Sequence, residues 1–85
     1  MRIENAFGIV LRSHRKFARV SQESLGLQSG YSRAHVSLLE RGLRGPSMGA
    51  VVRFAVCLQV EPGEMVTEAC KLAGPLPERT SGQDS

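Results

Sequence analysis

Four residues near the middle of the 85-residue chain have the types and spacing to meet a polyanion: Arg33, Ala34, Ser37 and Arg41. On a helix, at about 100° per residue, they fall within about 100° of one another. An arginine at a helix start can donate two hydrogen bonds to O6 and N7 of guanine. A serine hydroxyl can donate or accept, and an alanine can touch a thymine methyl. Leu38 and Leu39 are adjacent and so cannot share a face. Leu39 belongs with Val36 toward a core, whereas Leu38 falls beside Ala34 on the polar side, where it predicts an apolar contact such as one with a thymine methyl.

Other chemistries find little support. The only histidines are His14 and His35, and no Ser/His/Asp or paired-carboxylate arrangement has catalytic spacing, so an enzyme is not expected. Cys57 and Cys70 lack the paired spacing of a zinc site and are too few for a disulfide scaffold. Both read as small buried hydrophobes in a reducing cytoplasm. No cofactor, metal or small-molecule ligand is implied.

The elements that must position the basic face are helical. Phe7, Val10, Leu11, His14, Phe17 and Ala18 form one stripe of a helix from about Asn5 to Arg19. Ser21 suits an N-cap for a short second helix, Gln22 to Gln28, that buries Leu25; Gly26 on it permits close approach of another backbone. Gly30 is expected in the left-handed conformation that ends this helix. Ser32 caps the third helix, Arg33 to Arg41, and Gly42 closes it. After the loop "LRGP", a fourth helix turns Met48, Val51, Phe54, Ala55 and Leu58 inward, and "EPG" breaks it. A fifth, Gly63 to about Ala73, carries Met65, Val66, Ala69 and Leu72 at helical spacing. Residues 74–85 hold too little apolar content to order themselves and read as a disordered tail. No strand pattern or repeat stands out, so the fold class is all-α.

Composition agrees with this arrangement. The net charge is only +3, but residues 1–46 carry eight basic against three acidic side chains, net +5, and residues 47–85 carry net −2. A basic amino-terminal half suggests one polyanion-facing surface. No apolar run approaches the roughly 18 residues of a membrane span, and no signal peptide is evident.

A helix, a short turn containing Gly and a second helix with a basic face form a helix-turn-helix pattern. Residues 20–66 resemble the lambda-repressor-like family of Cro/cI (XRE-type) helix-turn-helix domains. The resemblance is carried by Ser21-Gln22-Glu23, Leu25, Gly30, Ser32-Arg33, Val36-Ser37, Glu40-Arg41-Gly42, Pro46-Ser47 and the run from Val60 to Met65. It implies a five-helix domain, residues 1–73, whose third helix enters the major groove of double-stranded operator DNA. It implies base reading by Arg33, Ala34, Ser37 and Leu38. Backbone contacts would come from Gln22, Ser32, His35, Arg41, Arg44 and Ser47. An orienting salt bridge between Arg15 and Glu40 is also implied.

The sequence departs from the family at several positions. His14 replaces a large aliphatic residue and reads as a partly buried structural histidine. Arg19 stands where Gly is frequent, which suggests a differently shaped turn. Val10, Leu27 and Val56 fall where polar residues are usual, as scattered exposed apolars or as pieces of a contact surface.

The expected role is a cytoplasmic, sequence-specific transcription regulator, a repressor acting as a homodimer on an inverted repeat. Its dimer interface is expected on helix five at Met65, Val66, Ala69 and Leu72. The helix-turn-helix takes up nearly all the residues expected to be ordered, so control would come from concentration, dimerisation or a partner protein. The alternatives are an antitoxin or accessory protein-interaction module, and an activator or controller of the same fold. Small regulators of this family occur on chromosomes, phages and plasmids.

Overall fold

A computed structural model describes residues 1–75; the expected disordered tail lies, from residue 76 on, outside the described residues. Five helices follow one another: α1 (Ile3–Phe17), α2 (Gln22–Ser29), α3 (Arg33–Glu40), α4 (Met48–Leu58) and α5 (Pro62–Ala73). No strand occurs among the described residues, and none of their helices is long and apolar enough to cross a membrane.

Local chemistry sets the starts and stops. Ser21, Ser32 and Ser47 each accept a hydrogen bond from the backbone N–H three residues on, at Ser24, His35 and Ala50. These bonds satisfy donors that a helix start leaves free. Pro62 occupies the first turn of α5, where its missing N–H costs nothing. Gly30 takes φ 83° at the end of α2, as expected.

The end of α1 closes in the same way without a glycine. Arg19 has φ 61°, its N–H donates to the Lys16 carbonyl, and the Val20 N–H donates to the Arg15 carbonyl. That double closure is the Schellman motif. Arg19 thus adopts the left-handed backbone that glycine takes without strain. Gln59 ends α4 in the same conformation, with φ 58°.

α1 packs against α5 and α3, α2 against α3 and α4, and α4 against α5. Phe7, Leu11, Leu25, Val36, Leu39, Phe54 and Met65 fill the common core. Two glycines permit the closest approaches. A Cβ on Gly26 would meet the Ser32 and Tyr31 backbone at 3.0 Å, and one on Gly8 would strike the carbonyls of Leu39 and Glu40. Gly26 therefore lets the start of α3 sit on α2, and Gly8 lets its end sit on α1.

Several expected core positions lie outside. Phe17 is 90% exposed and Ala18 is also exposed, because the end of α1 borders an open depression between α1, α4 and α5. Met48 is 87% exposed at the first position of α4, off the stripe of Ala50, Phe54, Ala55 and Leu58 that faces inward. Cys57 is half-buried and Cys70 exposed, so neither is the fully buried small hydrophobe expected. Val10, by contrast, is buried; Leu27 and Val56 are exposed.

The fifth helix needs the largest correction. Met65 and Ala69, expected on a dimer interface, are buried in this chain's own core, at 0% and 1% exposure. α5 must cover α1 and α4, and its most apolar stripe does so. Val66 and Leu72 remain exposed.

Candidate nucleic-acid interface

The site is assembled around the pair α2 and α3. Arg33 and Ala34 are exposed at the start of α3, Ser37 and Leu38 are half-buried further along it, and Arg41 is exposed at its end. Val36 and Leu39, on the other side, are fully buried. Arg44 and Ser47, in the loop after α3, are exposed as well. Leu38 thus sits apart from Leu39 as the wheel required, with part of its side chain on the open face. The caps at Ser32 and Ser47 use the hydroxyl oxygen as acceptor, so each hydroxyl hydrogen is left for another partner.

A buried ion pair holds the helix that carries this face. Arg15 Nε donates to Glu40 Oε2 at 2.6 Å and its NH2 to Oε1 at 3.0 Å. The side chains are only 11% and 3% exposed. A guanidinium forked onto a carboxylate fixes direction as well as distance. The third guanidinium nitrogen donates to the Val20 carbonyl at 2.8 Å, and Gln22 Nε2 donates to Glu40 Oε1 at 3.0 Å. One network therefore ties α1, the turn after it, the start of α2 and the end of α3. Gln22 is half-buried in that network, with one amide hydrogen committed to Glu40. Only its second amide hydrogen and its backbone N–H are left for a phosphate.

His35 occupies a built position that the sequence did not reveal. Its ring stacks on Tyr31, with centroids 4.8 Å apart and planes 15° from parallel. Tyr31 in turn leans on buried Phe54 at 5.4 Å. Arg53, on α4, lies over the Tyr31 ring at 5.9 Å and donates to the Ser29 carbonyl at 3.3 Å. Tyr31 and Arg53 are therefore supports of the α2–α3 turn. The only sequence signal was an aromatic residue just ahead of the Ser32 cap, where an apolar side chain often pins a helix start.

His14 is half-buried and its Nε2 lies 2.6 Å from Glu68 Oε1, joining α1 to α5. No group of three His, Cys, Asp or Glu side chains among the described residues is placed to hold a metal ion.

What the arrangement can do chemically is present arginine and hydroxyl donors, with small and apolar side chains between them, on a convex helix whose orientation is fixed. Known proteins resemble the chain that presents it. The sequence model of the helix-turn-helix domain matches residues 6–69. An uncharacterised HTH-type transcriptional regulator of Sinorhizobium fredii is 37% identical over 51 residues, which are 60% of this chain and 26% of that protein. An uncharacterised HTH-type transcriptional regulator of Mycobacterium tuberculosis is 42% identical over 53 residues, 62% of this chain and 38% of that protein. The chain thus spans well under half the length of these curated relatives.

Among solved structures, the restriction-modification controller protein C.AhdI of Aeromonas hydrophila superposes with a TM-score of 0.71 at 37% identity. That match covers 73% of this chain and 90% of the controller. The clp gene regulator ClgR of Corynebacterium glutamicum superposes with a TM-score of 0.82 at 26% identity, covering 87% and 96% of the two chains. With the α2–turn–α3 unit in place and the family's match running from α1 into α5, this chain belongs to the helix-turn-helix domain family.

Proposed function

We propose that the chain is a sequence-specific double-stranded DNA-binding transcription regulator, a cytoplasmic repressor that binds an inverted-repeat operator as a homodimer. The observation that carries this reading is the exposed face of Arg33, Ala34 and Arg41, with half-buried Ser37 and Leu38, on a helix locked by Arg15 and Glu40. Arg33 would read a base edge, with Ala34, Ser37 and Leu38 completing the reading face. Ser32, His35, Arg41, Arg44, Ser47 and Gln22 would hold the phosphates on either side. Phosphate contacts supply register and much of the affinity; base contacts supply the choice of sequence. Occupancy of a promoter suffices for repression.

A dimer contact at α5 falls to Val66 and Leu72. Val66 borders an apolar depression shared with Ile3, Phe7 and Pro46, which a second copy could fill. Selection from random DNA followed by footprinting tests the whole reading, because the symmetry of the recovered site reports the oligomer. Arg33→Ala is expected to weaken the selected site by about 1–3 kcal/mol, leaving fold and oligomer unchanged. Unaltered affinity would remove Arg33 as a reader. Val66→Glu is expected to yield a folded monomer in sedimentation with weaker operator binding; an intact dimer would remove this face from the interface.

The likeness to a restriction-modification controller favours a second reading, a controller of the same fold. A reporter behind the selected site separates the two, since a repressor lowers its output and an activating controller raises it.

A further inference from the structure

A wide depression lies outside the basic face, where the end of α1, the end of α4 and the start of α5 converge. It is an open groove of about 1020 Å³. Phe17 and Val56 stand on it with 90% and 69% of their surfaces exposed. Glu61, Glu64 and Glu68 line the α5 side. Glu68 is held by His14, whereas Glu61 and Glu64 have no cationic partner among the described residues. A basic chain has thus gathered three carboxylates beside the most exposed large apolar side chain among the described residues.

That combination narrows the occupant. Three carboxylates repel a phosphate backbone, so this surface is unsuited to nucleic acid. Residues 76–85 carry Glu78 and Asp84 against Arg79, so the chain's own last residues have the wrong sign. A small molecule would be poorly enclosed, because small-ligand sites bury most of the ligand and this groove leaves Phe17 in water. What remains complementary is a protein segment with an apolar side and a positive side, laid into the groove as an amphipathic helix is laid onto an apolar surface.

We infer that the groove docks a short amphipathic segment of a partner protein, which sets a large apolar side chain against Phe17 and Val56 and a lysine or arginine against Glu61 and Glu64. Phe17 supplies the aromatic anchor typical of such contacts, and the glutamates supply a rim that selects charge and speeds encounter. The surface is separate from the α3 face, so a bound segment and a bound polyanion can coexist.

The test uses the full 85-residue chain, isotope-labelled, titrated with a short acetylated Leu/Lys peptide of helical amphipathic spacing. Controls are a scrambled Leu/Lys peptide of equal charge and the Leu/Glu counterpart. Amide shifts confined to the groove residues of α1, α4 and α5, and seen with the amphipathic Leu/Lys peptide above both controls, are expected. Phe17→Ser and the pair Glu61→Lys with Glu64→Lys should each weaken that binding about tenfold or more, with unchanged circular dichroism. Shifts centred elsewhere, equal binding of the scrambled peptide, or variants that bind like the parent would overturn the inference. So would a change of oligomeric state in Phe17→Ser, which would assign the groove to a second copy of this chain.

Discussion

α1 meets its two principal neighbours by opposite chemistries. Against α5 the seam is mainly apolar, filled from the α5 side by buried Met65, Ala69 and Ala73, with the His14–Glu68 contact at its more exposed edge. Against α3 it combines a glycine-permitted backbone contact at Gly8 with the Arg15–Glu40 fork. Apolar burial is non-directional and scales with the area removed from water, so it stabilises contact without dictating an angle. A guanidinium forked on a carboxylate tolerates little rotation. The helix that presents the basic face is thus the one held by directional bonds, and the helix that covers the core is held mainly by packing.

The sharpest way to break this contrast is Glu40→Ala. It strands the Arg15 guanidinium in a buried setting and is expected to cost about 3–5 kcal/mol of stability in urea unfolding. The double replacement Arg15→Met with Glu40→Leu should recover most of that loss, because a well-packed apolar pair often matches a buried ion pair. Its readout is sequence choice: selection from random DNA should return a broader site than the parent does. An equally narrow site would mean that the pair only holds the fold.

Met65→Ala addresses the other seam. The cavity it leaves is expected to cost about 2–5 kcal/mol in the same unfolding assay. The site selected by the folded protein should stay as narrow as the parent's, and a broadened site would show that packing at α5 also orients α3. The smallest expected effect is at the α1–α2 turn, whose Val20 carbonyl anchors Arg15. Arg19→Gly relieves a left-handed residue and should raise stability by about 0.5–1 kcal/mol, the relief being partly offset by the greater freedom of glycine in the unfolded chain. A loss of stability would indicate that Arg19's side chain makes up for its backbone.

Much of the α2–α3 unit was legible because its signals are local. A serine cap is recognisable from neighbouring residues, and a glycine that must take positive φ stands one or two positions past a helix end. The separation of Leu38 from Leu39 followed from the helical repeat alone. Other features were not legible because they depend on which elements come together. Periodicity placed Phe17 on the α1 stripe, yet nothing in it said that this turn would border an open groove between α1, α4 and α5. The α5 stripe of Met65 and Ala69 reads identically as core or as interface, and only the demand of α1 and α4 for cover decided it. The Tyr31–His35 stack, with Arg53 from a distant helix, left only an aromatic residue ahead of the Ser32 cap as its trace in the chain.

The pairing of Arg15 with Glu40 was implied by the family resemblance, whereas the sequence by itself determined the helical content, the helix-turn-helix pattern and the basic face of the third helix. These rest on residue type, on a repeat of 3.6 and on a motif whose positions are close in the chain. Tertiary structure decided which apolar stripes were used up internally and which were left over. Burial is settled by the fit of several helices around one core, and a stripe's hydrophobicity does not say which neighbour will cover it. That is why Met65 lies inside, Val66 remains exposed, and Phe17 stands in water beside three glutamates.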